Sequence, residues 1–278
     1  MNQSSGKLES LRAFIRKKME VGILIAFSGG VDSSTLAAIT HQIARGKTAV
    51  VTAVSPIFSH QEKHEIKQIA QEIGVNHYFQ NVELLNQESF AQNPVDRCYY
   101  CKKELMKSFQ KLAKRLGFQV IFEGTTSSDL TGHRPGFEVV KEMDNVFSPW
   151  VKFGFTKGEI RSLAKRMGLS VSAKPSQACL ASRIPFGEHI TQNRLRRIEK
   201  AETFIKELMK VKQLRVRDHN GIARIEVGKR ERSKFFDENR FEEVGKALRS
   251  FGFKYVTLDV LGYQEGSMLR TVNSKGNG

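Results

Sequence analysis

Seven consecutive residues, Ser28-Gly29-Gly30-Val31-Asp32-Ser33-Ser34, place two glycines, three hydroxyls and one carboxylate in a single short loop. The glycines let a backbone approach phosphate closely, and the hydroxyls add donors to any main-chain amides that point the same way. Asp32 cannot bind phosphate itself, so its useful role is to hold a magnesium ion that bridges phosphates. The string is not a G-x-x-x-x-G-K-[ST] loop, and it carries no lysine to hold a γ-phosphate in that manner. Its wiring suits a different cut of the triphosphate.

The second source of chemistry is sulfur. The chain has three cysteines, Cys98 and Cys101 in Arg97-Cys98-Tyr99-Tyr100-Cys101-Lys102, and Cys179 in the segment Lys174–Pro185. Three are too few for a disulfide scaffold and an odd number for a secreted protein, so reduced, functional thiols fit better. Three thiolates meeting in one place would leave one coordination position open, as in an iron-sulfur cluster with one free iron, and that iron can carry an extra sulfide. The plainer alternatives are unrelated buried cysteines, or a three-thiolate zinc site completed by a histidine. Arg183, Arg215 and Arg217 are the third element: guanidinium forks match phosphate geometry, although surface charge would explain them equally well.

These residues need a scaffold that brings strand ends to one edge, and the apolar pattern supplies one. Leu8–Met19 reads as a helix, Gly22–Phe27 as a buried strand, Val31–Ala44 as a helix, Ala49–Ser55 as a strand and His60–Ile73 as a helix. A short strand near His77–Gln80, a helix over Tyr99–Leu116 and a strand over Gln119–Glu123 continue the rhythm of an α/β fold, a doubly wound parallel sheet. Thr125–Ser148 reads as a loop over the strand ends, Lys157–Met167 as a helix and Ser170–His189 as irregular chain. From Thr191 the texture changes to a basic helix, Gln192–Lys210, two strands, Gln213–Asp218 and Ile222–Val227, around an Asn220-Gly221 turn, a helix near Arg230–Ser250 and a strand over Tyr255–Leu261. The expected organisation is a nucleotide-binding domain over 1–188, a small C-terminal α+β domain over 189–270 and a disordered tail over 271–278.

The chain of 278 residues is 40% hydrophobic, enough for a sizeable core, and no apolar run reaches the roughly 18–20 residues of a membrane span. With a polar amino terminus in place of an apolar signal core, a cytoplasmic location is expected. The 45 basic against 29 acidic residues give a formal charge of +16, which attracts polyanions or phosphorylated small molecules, RNA among them.

The loop resembles the signature of the N-type ATP pyrophosphatases, the PP-loop superfamily, which cleave ATP between the α- and β-phosphates and form adenylates. The resemblance implies an adenine nucleotide alpha hydrolase-like sheet, with Ser28, Gly29, Gly30, Asp32, Ser33 and Ser34 at the nucleotide and its Mg2+. Further segments, Gly124–Asp129, His133-Arg134-Pro135-Gly136, Lys174–Pro185, Leu214–Arg217 and Ala223–Val227, are similar to the LarE family. These are ATP-dependent sulfur transferases that act on pyridinium-3,5-biscarboxylic acid mononucleotide in synthesis of the nickel-pincer nucleotide of lactate racemase. The similarity runs from about Phe14 to Leu261.

What the LarE resemblance implies is a small-molecule nucleotide substrate whose carboxylate is adenylated and then attacked by sulfur, giving a thiocarboxylate and AMP. Some members hold only the cysteine that matches Cys179 and sacrifice its sulfur; others add a C-x-x-C pair and bind a 4Fe-4S cluster. The pair here implies the cluster version, with Cys98, Cys101 and Cys179 as ligands, Cys179, Asp32 and Arg183 as catalytic residues, and Gly124 and Thr125 at the nucleotide. Arg215 and Arg217 fall to the substrate phosphate. Thr126-Ser127-Ser128-Asp129 departs from the Asn and paired Asp that related members commonly show, so no metal role is carried over to it. The resemblance also implies a homo-oligomer, and it leaves the sulfur donor open. Rival functions are a tRNA thiolase, an ammonia-dependent amidating ligase that would need no cysteine, and a non-catalytic nucleotide-binding protein.

Overall fold

Ile23-Leu24-Ile25-Ala26 has no polar interruption, as a strand covered on both faces should. It lies at the centre of a parallel sheet in the computed structural model, which describes residues 3–59, 62–131, 134–175, 178–264 and 266–269. The chain divides into two compact units, one built from Met1–Ser55, His60–Leu84 and Asp96–Gln177, the other from Pro56–Ser59, Leu85–Val95 and Ala178–Gly278. The boundary expected near residue 188 thus falls inside the second unit, which takes in Cys179 and Arg183.

In chain order the helices are α1 Gln3–Met19, α2 Val31–Ile43, α3 Glu62–Ile73, α4 Glu88–Ala91, α5 Arg97–Leu116, α6 Pro135–Lys141, α7 Pro149–Lys152, α8 Lys157–Arg166, α9 Gln192–Met209 and α10 Glu238–Ser250. The strands are β1 Ile23–Ala26, β2 Thr48–Val54, β3 Asn76–Asn81, β4 Val120–Phe122, β5 Val146–Phe147, β6 Leu214–His219, β7 Ile222–Val227 and β8 Tyr255–Leu258.

The first unit carries β3-β2-β1-β4-β5, all pairs parallel, with Ile23 beside Thr48 on one flank and Val120 on the other. Alternation along β1 splits the core: Ile23 and Ile25 join Leu11, Leu36, Ile69 and Ile160 on one face, while Leu24 joins Met106, Phe109, Ile121 and Val139 on the other. This doubly wound order puts the carboxyl ends of β1 and β4 side by side, where such sheets bind ligands.

Two elements differ from the sequence reading. Residues 125–148, expected as a loop, contain α6 and β5, because Val139, Val140 and Val146 bury themselves on the α5 face of the sheet. The helix expected over 230–250 is broken at Asp237, whose carboxylate caps α10 by accepting the amide of Arg240. His60, at the start of the third expected helix, lies outside the described residues, as do His133 and the 271–278 tail.

In the second unit β6 and β7 form the expected antiparallel hairpin, with Asn220 and Gly221 at φ 46° and 96°, and β8 adds parallel to β7. Leu214, Val216, Ala223, Ile225 and Val227 are buried, and the residues alternating with them, Arg215, Arg217, Arg224 and Glu226, share the opposite face. Two segments from earlier in the chain complete this unit: Ile57 accepts the Leu180 amide at 2.9 Å, and the side chain of buried Asn93 donates to the carbonyls of Ile184 and Pro185. Among the described residues no helix is long and apolar enough to cross a membrane.

Candidate functional site

The loop after β1 is shaped by what its residues cannot do elsewhere. Gly29 has φ +65°, and a Cβ there would lie 2.7 Å from Ile66 Cγ1, so only glycine fits the turn. Gly30 is the N-cap of α2 and provides no side-chain cap, and a helix start without one suits an anion. Ser33 Oγ ties the turn together, accepting from the Ser28 amide at 3.2 Å and lying 3.2 Å from Ser28 Oγ. Gly124, just beyond β4, packs on this helix start: a Cβ on it would meet the Ser33 amide nitrogen at 3.1 Å.

Two polar atoms here are buried without a partner among the described residues, Asp32 Oδ1 and Ser34 Oγ. The other Asp32 oxygen sits 3.1 Å from Lys157 Nζ. Burial pushes the Asp32 carboxyl up from its ordinary range, with Lys157 pulling the other way. A half-dry carboxylate with a bare oxygen is the donor a hard cation would take, so the residues fit Mg2+. Trp150, fully buried, fixes the backbone by donating to the Asp32 carbonyl at 3.0 Å.

The loop itself carries no lysine, yet cations reach it from later chain. Lys157, set by the Thr156–Glu159 capping box at the start of α8, faces Asp32, and Lys174 Nζ reaches the Gly29 carbonyl at 3.3 Å while pairing with Glu65 at 2.9 Å. Arg161 donates to the carbonyls of Ser172 and Lys174, both at 2.8 Å, and so holds the strand of chain that presents Lys174. Sequence reasoning missed Lys157 and Arg161 as loop neighbours, since their approach is tertiary and the local string is an ordinary capped helix.

His77 stands on β3, two strands from β1. Thr52 Oγ1 donates its one proton to the Phe27 carbonyl at 2.7 Å, so His77 Nε2, 2.8 Å from that oxygen, must be the donor of the pair. Burial, helped by Lys67, lowers the His77 pKa to about 4. The unfolded chain binds this proton near pH 6.5, so between pH 6.5 and 4 acidification favours unfolding. His77→Gln should therefore flatten the acid-side loss of stability over that window, by about 1–2 kcal/mol after allowing for the half-exposed ring. Urea unfolding at pH 7 and pH 4.5 reads it, and equal pH slopes in both proteins would refute it.

The thiol pair belongs to the same unit. Cys98 and Cys101 lie one turn apart at the start of α5, Cys98 exposed and Cys101 half-buried, which puts both on one side of the helix. Lys102, next to Cys101, donates at 2.7 Å to Glu123, a fully buried carboxylate at the end of β4. Glu123 also accepts from Ser148 Oγ, from the Thr125 hydroxyl at 2.6 Å and from the Thr125 amide at 3.2 Å. Burial alone would raise the Glu123 carboxyl; Lys102 and the hydroxyls outweigh it and hold it below its ordinary range. Thr125, expected at the nucleotide, thus has its hydroxyl engaged by Glu123. Asp129 is likewise satisfied by Thr126 and Arg134.

Cys179 belongs to the second unit, together with the three arginines singled out from sequence. Arg183 donates to the Cys179 carbonyl at 3.0 Å and the Ala178 carbonyl at 2.7 Å, and its fork grips Glu202. Both partners are buried; against the cost of burial their mutual charge raises the Arg183 pKa and lowers that of Glu202. Arg217 pairs with buried Glu226 at 2.7 Å and donates to the Ser182 carbonyl at 2.9 Å. Arg215 differs: it donates to the Leu214 carbonyl, lies 5.5 Å over the Tyr263 ring, and is pressed below its ordinary pKa by burial and by Arg183. Glu202 and Glu226 were not singled out from sequence, for a lone glutamate in a charged helix or strand carries no signal. Ser176 and Gln177, between Lys174 and Cys179, lie outside the described residues.

Among the described residues no three His, Cys, Asp or Glu side chains are grouped to hold a metal. Two soft thiols one helical turn apart fit part of an iron-sulfur ligand set, and the third expected ligand lies in the other unit.

Residues 4–131 match the PP-loop domain family. The chain is 36% identical over 96% of its length to an uncharacterised Synechocystis protein, covering 98% of it. It is 30% identical over 90% of its length to the pyridinium-3,5-bisthiocarboxylic acid mononucleotide synthase of Lactiplantibacillus plantarum, covering 90% of that protein. A tRNA-specific 2-thiouridylase, MnmA, of Rickettsia peacockii is 25% identical over 75% of the chain, which spans 66% of it.

Proposed function

This chain belongs to the LarE family of PP-loop proteins, and from that premise we propose that it adenylates a carboxylate of pyridinium-3,5-biscarboxylic acid mononucleotide and replaces the adenylate with sulfur. The observation that carries the reading is the nucleotide loop, which joins an uncapped helix start to Asp32, whose Oδ1 has no partner among the described residues, with Lys157 at the other Asp32 oxygen and Lys174 at the Gly29 carbonyl. A carboxylate is a poor electrophile because its leaving group would be oxide. In the first step a substrate carboxylate oxygen attacks the ATP α-phosphorus and pyrophosphate leaves. In the second, sulfur adds to the activated carbon and AMP departs, leaving a thiocarboxylate.

In this reading the α2 amides, Ser28, Gly29, Gly30, Ser33 and Ser34 cradle the pyrophosphate, with Gly124 closing the pocket wall. Asp32 holds Mg2+, and Lys157 turns from Asp32 to the departing charge. Arg215, which unlike Arg183 and Arg217 has no salt bridge among the described residues, takes the substrate phosphate, while Arg183 and Arg217 brace the Cys179 segment. Cys98 and Cys101 would supply part of the ligand set of a 4Fe-4S cluster, which when bound supplies deprotonated sulfide. If Cys179 were itself the donor, its Cβ–Sγ bond would break and the residue would end as dehydroalanine.

The test is anaerobic incubation of the full chain with ATP, Mg2+ and the mononucleotide. AMP and pyrophosphate in equal amounts, a thiocarboxylate product and a brown protein with about four irons per chain are expected. A colourless protein whose mass falls by one hydrogen sulfide after turnover would transfer the role to Cys179 alone. Absence of AMP would overturn the reading. A second reading, thiolation of tRNA, is favoured by the similarity to the Rickettsia enzyme and by the +16 charge; salt-sensitive tRNA binding with tRNA-dependent AMP release would select it.

A further inference from the structure

Glu123 is a fully buried carboxylate that no step above uses, and its neighbours on either side connect two functional elements of one unit. On one side its chain neighbour Gly124 lies so close to the start of α2 that a Cβ there would be 3.1 Å from the Ser33 nitrogen and 3.3 Å from its Cα. On the other its carboxylate receives Lys102 at 2.7 Å, and Lys102 follows Cys101 directly. The first turn of α5 is clamped from its far side as well: a Cβ on Gly136 of α6 would meet the Cys98 carbonyl at 3.1 Å, and the Tyr99 hydroxyl donates to Glu142 at 2.9 Å.

The geometry points to Glu123 and Lys102 as positioning residues that lock the thiol-bearing turn of α5 onto the nucleotide loop, so that a nucleotide in the loop is felt at Cys98 and Cys101. A shift of the α2 start cannot bypass Gly124, because backbone meets backbone there without a compressible side chain. It moves the end of β4, and with it a carboxylate fixed by four donors. Buried polar networks satisfied at every atom have few alternative arrangements, so the displacement passes to Lys102 and the turn that carries it. The link rests on the sulfur-transfer reading for its purpose, since timing sulfur to an activated carbon is what such a coupling would serve.

The test needs no turnover. Alkylation of Cys98 and Cys101 by iodoacetamide is followed residue by residue by mass spectrometry on the full chain prepared without iron, so that no cluster covers the thiols, with and without Mg2+ and α,β-methylene ATP. Analogue binding is read separately from the fluorescence of Trp150, the single tryptophan. In the wild type, bound analogue should change the thiol rates by at least about fivefold, the lower range of allosteric coupling. In Glu123→Gln the change should fall below about twofold with binding retained, whereas Lys102→Arg with Glu123 intact, which keeps the charge pair, should retain much of the wild-type change. Where Glu123→Gln does not fold, the double variant Lys102→Met/Glu123→Gln, which strands no buried charge, replaces it. An analogue that binds yet leaves wild-type rates unchanged, or a variant that keeps the wild-type response, overturns the link alone. An analogue that does not bind overturns the nucleotide reading and the link with it.

Discussion

Asp32→Asn should lower AMP release about a thousandfold, the several kcal/mol a catalytic metal contributes, while leaving the thermal midpoint unchanged or raised. The two halves of that expectation share one cause. Burial pushes the Asp32 carboxyl up, which means the folded protein holds its ionised form at a cost. Lys157, 31% exposed, recovers part of that cost and can turn to solvent when the charge is removed. Asn keeps the shape and drops the charge, so the fold loses little. A midpoint lowered by more than about 5 °C, with activity lost in proportion, would recast Asp32 as a structural residue.

Glu202→Ala should destabilise the protein by about 3–5 kcal/mol, because it strands the Arg183 guanidinium in a buried position. Glu202 also accepts the Val216 amide at 3.1 Å, so one carboxylate serves the 180–183 turn and β6 together. Replacing both partners, Arg183→Met with Glu202→Leu, should recover most of that loss, since apolar side chains of similar volume leave no orphaned charge. Sulfur transfer should not recover with it. Arg183 is also the donor to the carbonyls of Ala178 and Cys179, and methionine cannot replace those bonds. Urea midpoints checked against activity decide it: a double variant that is stable and fully active would reduce Arg183 to a scaffold residue.

The parts of this protein legible in its sequence are those written in short strings. Apolar runs and their spacing specify β1, β2, α2 and α5 within a residue or two, because the strands are covered on both faces and the helices bury an apolar side. The loop from Ser28 to Ser34 could be read because glycine, hydroxyl and carboxylate chemistry act locally. Residues 125–148 could not, since α6 is short and owes its helix to packing of Val139 and Val140 against α5. Lys157, Lys174, Glu123 and Glu202 escaped for a different reason. Each takes its meaning from a partner far along the chain, as Lys157 does from Asp32 and Glu202 from Arg183. Lysine and glutamate are also the residues a solvated surface would show, so composition offers nothing to single them out.

The second unit borrows Pro56–Ser59 and Leu85–Val95 from the amino-terminal half, where Ile57 and Asn93 wait for Leu180, Ile184 and Pro185. No single scission of the chain can therefore yield two whole pieces. A ribosome releases those segments well before the residues that satisfy them, at about 5–20 residues per second. For several seconds the nascent protein carries a nearly finished parallel sheet with two unclaimed excursions. The same interleaving makes the halves depend on one another for completion, so a gene fragment ending near residue 177 would leave Asn93 and Ile57 without the acceptors and donors they were placed to meet.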